Sequence, residues 1–188
     1  MSDLVINDTQ RWLQRAVIGL NLCPFAKAVH VKGQIHYAVS LAGEPADVLD
    51  QLAAELTALA ALDAEVRDTT LLILPNGFHE FLDFNDFLVR SNAVLRKLGL
   101  QDNIQIAPFH PQFQFADAAV DDIANCTNRS PYPMLHLLRE ASVSRAVAAF
   151  PHAEDIFEKN IDALTQLGPE GWAALDVGPH CSAVKSAA

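Results

Sequence analysis

The chain has 188 residues, of which 51% are apolar and 19% charged, and its formal net charge is −10 at pH 7. This length and composition suit a globular domain with its own core and argue against a disordered chain. The acidic charge argues against general binding to nucleic acid or to an anionic membrane, because both require a basic surface.

Location is predicted from what the sequence lacks. No apolar run reaches the length of about eighteen residues that a membrane span needs, and the first residues do not carry the pattern of a secretory signal. The three cysteines, Cys23, Cys126 and Cys181, form no recognisable disulfide framework. These features predict a cytoplasmic protein in a reducing environment.

Hydrophobic periodicity and chain breakers predict helices that alternate with strands. A helix is predicted over residues 3–20, and Pro24 would open a short helix over residues 25–31. The next predicted elements are a strand over 34–41, a helix over 45–62, a buried strand over 69–74, a helix over 81–98 and a strand over 103–107. Two further helices are predicted over 133–149 and 153–167.

This order predicts a small three-layer α/β domain with a short, mostly parallel sheet and additional N- and C-terminal helices. The domain is expected to span residues 1–168, followed by a loosely ordered tail over 169–188. Ligands of such sheets bind beyond the carboxyl ends of the strands. Since the third predicted strand runs into Phe109-His110-Pro111, we expect the functional site at that edge.

Cys23 is the candidate nucleophile. A thiol reacts as its thiolate, which a helix N-terminus or a nearby cation stabilises. Pro24 suits the first turn of a short helix, and Lys27 follows one turn later. With His110 as its base, Cys23 would attack a substrate. The alternative is a buried structural thiol.

Asn128 and Arg129 precede the helix that is predicted to begin near Pro133. The free N–H groups of a helix N-terminus and a guanidinium both favour an anion, so we predict an anion pocket that Lys27 and Arg139 would complete. The alternative is that Asn128 or a neighbour caps the helix and that Arg129 is solvated.

His136 and Glu140 are four residues apart and would project from one face of that predicted helix. Together with His110 they would offer two imidazoles and one carboxylate, a set that can hold iron(II) or zinc. His136 is also a candidate catalytic residue in its own right. The alternative is a core histidine, with Glu140 paired to a neighbour.

Three motifs, Gly19-Leu-Asn-Leu-Cys-Pro-Phe-Ala26, Phe109-His-Pro111 and Asn128-Arg-Ser-Pro-Tyr-Pro-Met-Leu-His-Leu-Leu-Arg-Glu140, resemble those of a family of small, mostly bacterial proteins classed as a domain of unknown function. The resemblance covers roughly residues 8–168. It implies that the family pattern has the same residue types at six positions, which are Cys23, His110, Asn128, Arg129, His136 and Arg139, and it implies no activity.

The leading hypothesis is a small-molecule enzyme that acts on an anionic substrate through Cys23 and His110, with the anion held by Asn128 and Arg129. One alternative is a metal-dependent enzyme or metal-binding protein that uses His110, His136 and Glu140. Another is a non-catalytic protein that binds an anionic metabolite or an acidic partner. A purely structural hypothesis has the amides and prolines bracing a long connection. The sequence leaves a homo-oligomer open.

Overall fold

The protein is described by a computed structural model over residues 1–149 and 155–177. The described residues form six α-helices and a four-stranded mixed sheet, which confirms the α/β class. The helices are α1 (Ser2–Trp12), α2 (Ala26–Val31), α3 (Pro45–Ala61), α4 (Phe81–Lys97), α5 (Glu140–Ala149) and α6 (Ile156–Ala174). The strands are β1 (Ile35–Val39), β2 (Thr69–Ile73), β3 (Ile104–Phe109) and β4 (Met134–Arg139).

The strand order is β1-β2-β4-β3. β1 and β2 pair in parallel, whereas β4 is antiparallel to both of its neighbours. The prediction of a mostly parallel sheet is therefore wrong: β1, β2 and β3 run in the same direction, but β4 lies between β2 and β3. Because β3 is an edge strand, it tolerates Pro108, which cannot donate to a ladder.

β4 is the largest correction to the predicted elements, since residues 134–139 were expected to be helical. The run Met134-Leu-His-Leu-Leu-Arg139 has the length of an ordinary strand, and β4 lies at the centre of the sheet with both faces covered. A short apolar run of this kind cannot be distinguished from a buried helix by periodicity alone. Only the second part of the predicted helix is helical, as α5.

The sheet separates two apolar cores. On one face, α3 and α4 pack against Leu72, Leu135 and Leu137. On the other face, α1, the π-helical segment that follows it (Leu13–Ile18) and α6 pack with strand residues such as Leu71. Helices therefore cover both faces. No helix among the described residues is long and apolar enough to span a membrane.

The chain after residue 168 is better ordered than predicted. Gly168 has a φ of 65° and kinks α6, which nevertheless continues to Ala174. Trp172 and Val177 are buried in the core with α1, and the Arg15 guanidinium donates to the Leu175 carbonyl oxygen at 2.8 Å. The expected loose tail is thus wrong for residues 169–177, while residues 178–188 lie outside the described residues.

Candidate functional site

His110 follows β3 directly and is fully buried. Its Nε2 lies 2.8 Å from the carbonyl oxygen of Phe78, and the backbone N–H of Gln112 donates to its Nδ1 at 3.0 Å. Since a carbonyl accepts and an N–H donates, the ring is the neutral tautomer with its proton on Nε2. The rings of Phe81 and Phe84 pack on it at centroid distances of 5.4 and 5.3 Å. Both nitrogens are occupied, so His110 braces the loop and presents no free base or metal ligand.

The loop between β3 and β4 is braced by the side chains that we expected to bind an anion. Asn128 Nδ2 donates to the Pro108 carbonyl at 3.3 Å, and Arg129 donates to the carbonyl oxygens of Phe113 at 3.1 Å and Val120 at 2.7 Å. The segment after them forms β4, so the expected helix N-terminus is missing from this corner. Of the five guanidinium donors, these contacts use two.

Cys23 packs half-buried against the core formed with α1 and α6, whereas the ring of His110 packs on α4 across the sheet. Burial raises the pKa of the Cys23 thiol, and hydrogen bonds from the backbone N–H groups of Phe25 and Ala26 offset only part of that effect. The thiol is not held as a thiolate, and it forms no pair with His110. Lys27 is exposed on α2, and no hydrogen bond or ion pair among the described residues joins it to the loop before β4.

The three expected metal ligands lie far apart. His136 is in the middle of β4 on the side of α1 and α6, where burial lowers its pKa to about 4. The backbone N–H of Glu140 donates to the carbonyl of Asn103, just before β3 begins. His110 follows the other end of β3, roughly 20 Å away for a strand of this length. Within residues 1–149 and 155–177, no three His, Cys, Asp or Glu side chains gather into a metal site.

Arg139 ends β4 and serves the C-terminus of α3. Its guanidinium donates to the carbonyl oxygens of Leu59, Leu62 and Arg67 at 2.6, 2.7 and 3.0 Å. Cations suit this position because the last carbonyl groups of a helix lack partners. The length of β4 separates Arg139 from Arg129, so the two guanidinium groups do not form one pocket.

A cleft of about 640 Å³ opens beyond the carboxyl ends of the parallel strands β1 and β2. The loops after these strands lead into the first turns of α3 and α4, and Asn76 Nδ2 donates to the Leu41 carbonyl at 3.0 Å to join the loops. Ligands of open α/β sheets bind at this edge. The cleft is lined by Gly43, Pro45, Phe78, His79, Glu80, Asp83, Asp86, Phe87 and Arg90.

Phe78 occupies a strained backbone conformation at the cleft, with a φ of 57°. A non-glycine residue pays roughly 1–2 kcal/mol for this left-handed region. The conformation is held because the ring packs on Phe87 at a centroid distance of 4.2 Å and the Phe78 carbonyl oxygen accepts a hydrogen bond from Nε2 of His110. Such strain concentrates at functional sites. The buried His110 thus fixes the position of Phe78, and His79, the residue after Phe78, enters the cleft from there.

The charge of the cleft is negative. Glu80, Asp83 and Asp86 are exposed carboxylates that face one guanidinium, Arg90, so two negative charges are in excess when His79 is neutral. None of these charged groups takes part in an ion pair among the described residues. The dipoles of α3 and α4 place about half a positive charge at each helix start and reduce this excess without cancelling it.

His79 and Glu80 were missed in the sequence, although a signal was present. They follow Pro75-Asn-Gly77, which closes the buried strand β2. The rule that led to His110, that ligands lie beyond the carboxyl ends of strands, applies equally to this turn. The residues after the third predicted strand are chemically more unusual than those after β2, which is why the rule pointed to His110 first.

No curated protein and no solved structure matches the chain. One family model, described as a protein of unknown function, DUF1415, matches residues 4–174. The match spans nearly the whole chain and confirms the resemblance to a domain-of-unknown-function family. The chain therefore belongs to the DUF1415 family.

Proposed function

We propose that this protein binds a small organic cation, such as a linear diamine, in the cleft between the first turns of α3 and α4. The observation that carries the proposal is the excess of carboxylates, none of them in an ion pair with another described residue, in a cleft at the edge of the sheet where α/β proteins bind ligands. Glu80 and Asp83 would receive the ammonium groups, and the ring of Phe78, which packs on the buried Phe87, would contact the methylene chain.

An organic cation fits this cleft better than a bare metal ion does. The carboxylates lie along the first two turns of α4, and no three ligating side chains of the described residues converge on one point. A molecule with two ammonium groups can reach separated carboxylates, since each contact needs only one of them. The net charge of −10 would also attract a cation toward the protein.

The test is isothermal titration calorimetry with linear diamines of increasing length, beside a neutral diol and a dicarboxylate of matched length. We expect the diamines alone to bind and their affinity to fall with added salt, because exposed charges are screened. Asp83→Asn should weaken binding about two- to fivefold, as expected for the loss of one exposed ion pair.

Asp102→Asn is the matched control, because Asp102 is also exposed but lies just before β3, at the opposite edge of the sheet. It should leave the affinity for the diamine unchanged. If Asp83→Asn and Asp102→Asn weakened diamine binding equally, the loss would follow from overall charge alone, and the cleft would not be the binding site. Binding of the dicarboxylate alone would overturn the cationic ligand.

A second candidate is the anion site expected from the sequence, now centred on Arg129. The observation that favours it is that the hydrogen bonds of Arg129 to Phe113 and Val120 leave three guanidinium donors without a partner among the described residues. In this case the dicarboxylate would bind, and Arg129→Lys would abolish its binding while Asp83→Asn would not.

The cytoplasmic location and the single domain stay predictions.

A further inference from the structure

The outward face of α4 carries large apolar side chains that nothing in the described chain covers. Its inner face buries Phe84 and Phe87 in the core. On the opposite side, Leu82 is 75% exposed and Val89 is 69% exposed. Residues seven apart lie on one side of a helix, and Ala93 extends the same stripe by one more turn.

The charges beside this stripe are separated along the helix. Asp83 and Asp86 occupy the first half of α4, while Arg90, Arg96 and Lys97 occupy the second half. All five are exposed, and among the described residues none of them forms an ion pair. This order agrees with the helix dipole, and it also makes the helix complementary to an antiparallel copy of itself.

We propose that α4 is the interface of a homodimer, in which it packs antiparallel on α4 of a second copy about a two-fold axis at Val89. With this axis, Asp86 of one copy lies three residues from Val89 along the helix. Arg90 of the second copy lies one residue from Val89 in the same direction, because the second helix runs the opposite way. The axial offset of two residues is about 3 Å at the rise of an α-helix, within reach of an ion pair, and the symmetry forms the pair twice.

The same arrangement covers the apolar stripe. The two copies of Val89 meet at the axis. Leu82 of each copy lies against the aliphatic stem of Arg96 of the other, because these residues are seven positions on either side of the centre. A helix of 17 residues is about 25 Å long. A single helix pair of this size is a small interface, so we expect a dissociation constant that is roughly micromolar.

The experiment is sedimentation velocity of the full chain from about 1 to 200 µM. We expect a monomer–dimer equilibrium that Val89→Glu abolishes, because two carboxylates would then face each other at the axis. Val89 is exposed, so the variant should fold normally, which circular dichroism checks. Val66→Glu, at a position that is 65% exposed in a turn away from α4, is the matched control and should dimerise as the parent does.

A charge-reversal cycle tests the register of the pair. Asp86→Arg and Arg90→Asp should each weaken the dimer at least tenfold, and the double variant should recover most of the loss. A protein that stays monomeric at 200 µM, a dimer that survives Val89→Glu, or an assembly larger than a dimer would overturn the proposal. Asp86 and Arg90 line the cleft as well as the proposed interface, whereas Val89 does not line the cleft, so Val89→Glu separates the two proposals: it should abolish the dimer and leave diamine binding intact.

Discussion

Replacing His110 by leucine tests whether this histidine braces the loops or takes part in chemistry. The substitution removes the hydrogen bonds to the Phe78 carbonyl and from the Gln112 N–H, and it removes the ring contacts with Phe81 and Phe84. A buried polar group left without its hydrogen bond costs about 1–3 kcal/mol. The backbone N–H of the exposed Gln112 should cost less, because water can replace His110 as its partner.

We therefore expect His110→Leu to lower the free energy of unfolding by about 2–4 kcal/mol, a value in the upper part of the range for single substitutions. Urea denaturation followed by circular dichroism measures this difference. His79→Leu is the matched control, since His79 is exposed one residue after Phe78, and it should change stability by less than about 0.5 kcal/mol. A His110→Leu variant as stable as the control would refute the bracing role.

Three other predictions concern single side chains away from the cleft. Burial lowers the pKa of His136 to about 4, so the unfolded state binds more protons between pH 6.5 and 4. The free energy of unfolding should then fall as the pH is lowered through this window, by up to about 3 kcal/mol. Urea denaturation of the His136→Gln variant over the same pH range should lack this part of the fall in the free energy of unfolding. Gly19→Ala should cost roughly 1–3 kcal/mol, because a Cβ there would lie 2.2 Å from the carbonyl oxygen of Arg15. Gly43→Ala, where the nearest atom would be the Asn76 carbonyl oxygen at 4.0 Å, should be nearly neutral by the same denaturation assay. Since burial raises the pKa of the Cys23 thiol, its alkylation at pH 7.5, followed by peptide mass spectrometry, should be slower than that of free cysteine; a faster reaction would contradict this.

Much of the fold could be predicted because its elements carry local signals. The run Thr69-Thr-Leu-Leu-Ile73 is buried along its whole length, as its continuous apolar pattern indicates. Pro45 marks the start of α3 at the first helical turn, where it needs no N–H partner. Gly99, with a φ of 69°, follows the end of α4 as a glycine often does.

The fate of the candidate site could not be predicted, because it depends on partners that are distant in sequence. His110 is occupied by the carbonyl of Phe78, 32 residues earlier, and Arg139 by carbonyl groups of α3, up to 80 residues earlier. The helix expected after residue 133 placed His136 and Glu140 on one face. In the structure His136 lies in β4 and Glu140 begins α5, so the two residues are farther apart than on one helix, because a strand rises about twice as far per residue as a helix does.

Mapping the amide signals of the protein by nuclear magnetic resonance during titration with a linear diamine tests most directly whether the cleft binds an organic cation. We expect saturable shifts at Gly43 and over residues 78–83, with the signals of residues 125–130 unchanged. Shifts that cluster around Arg129, or a titration that moves no signal at the cleft, would contradict it.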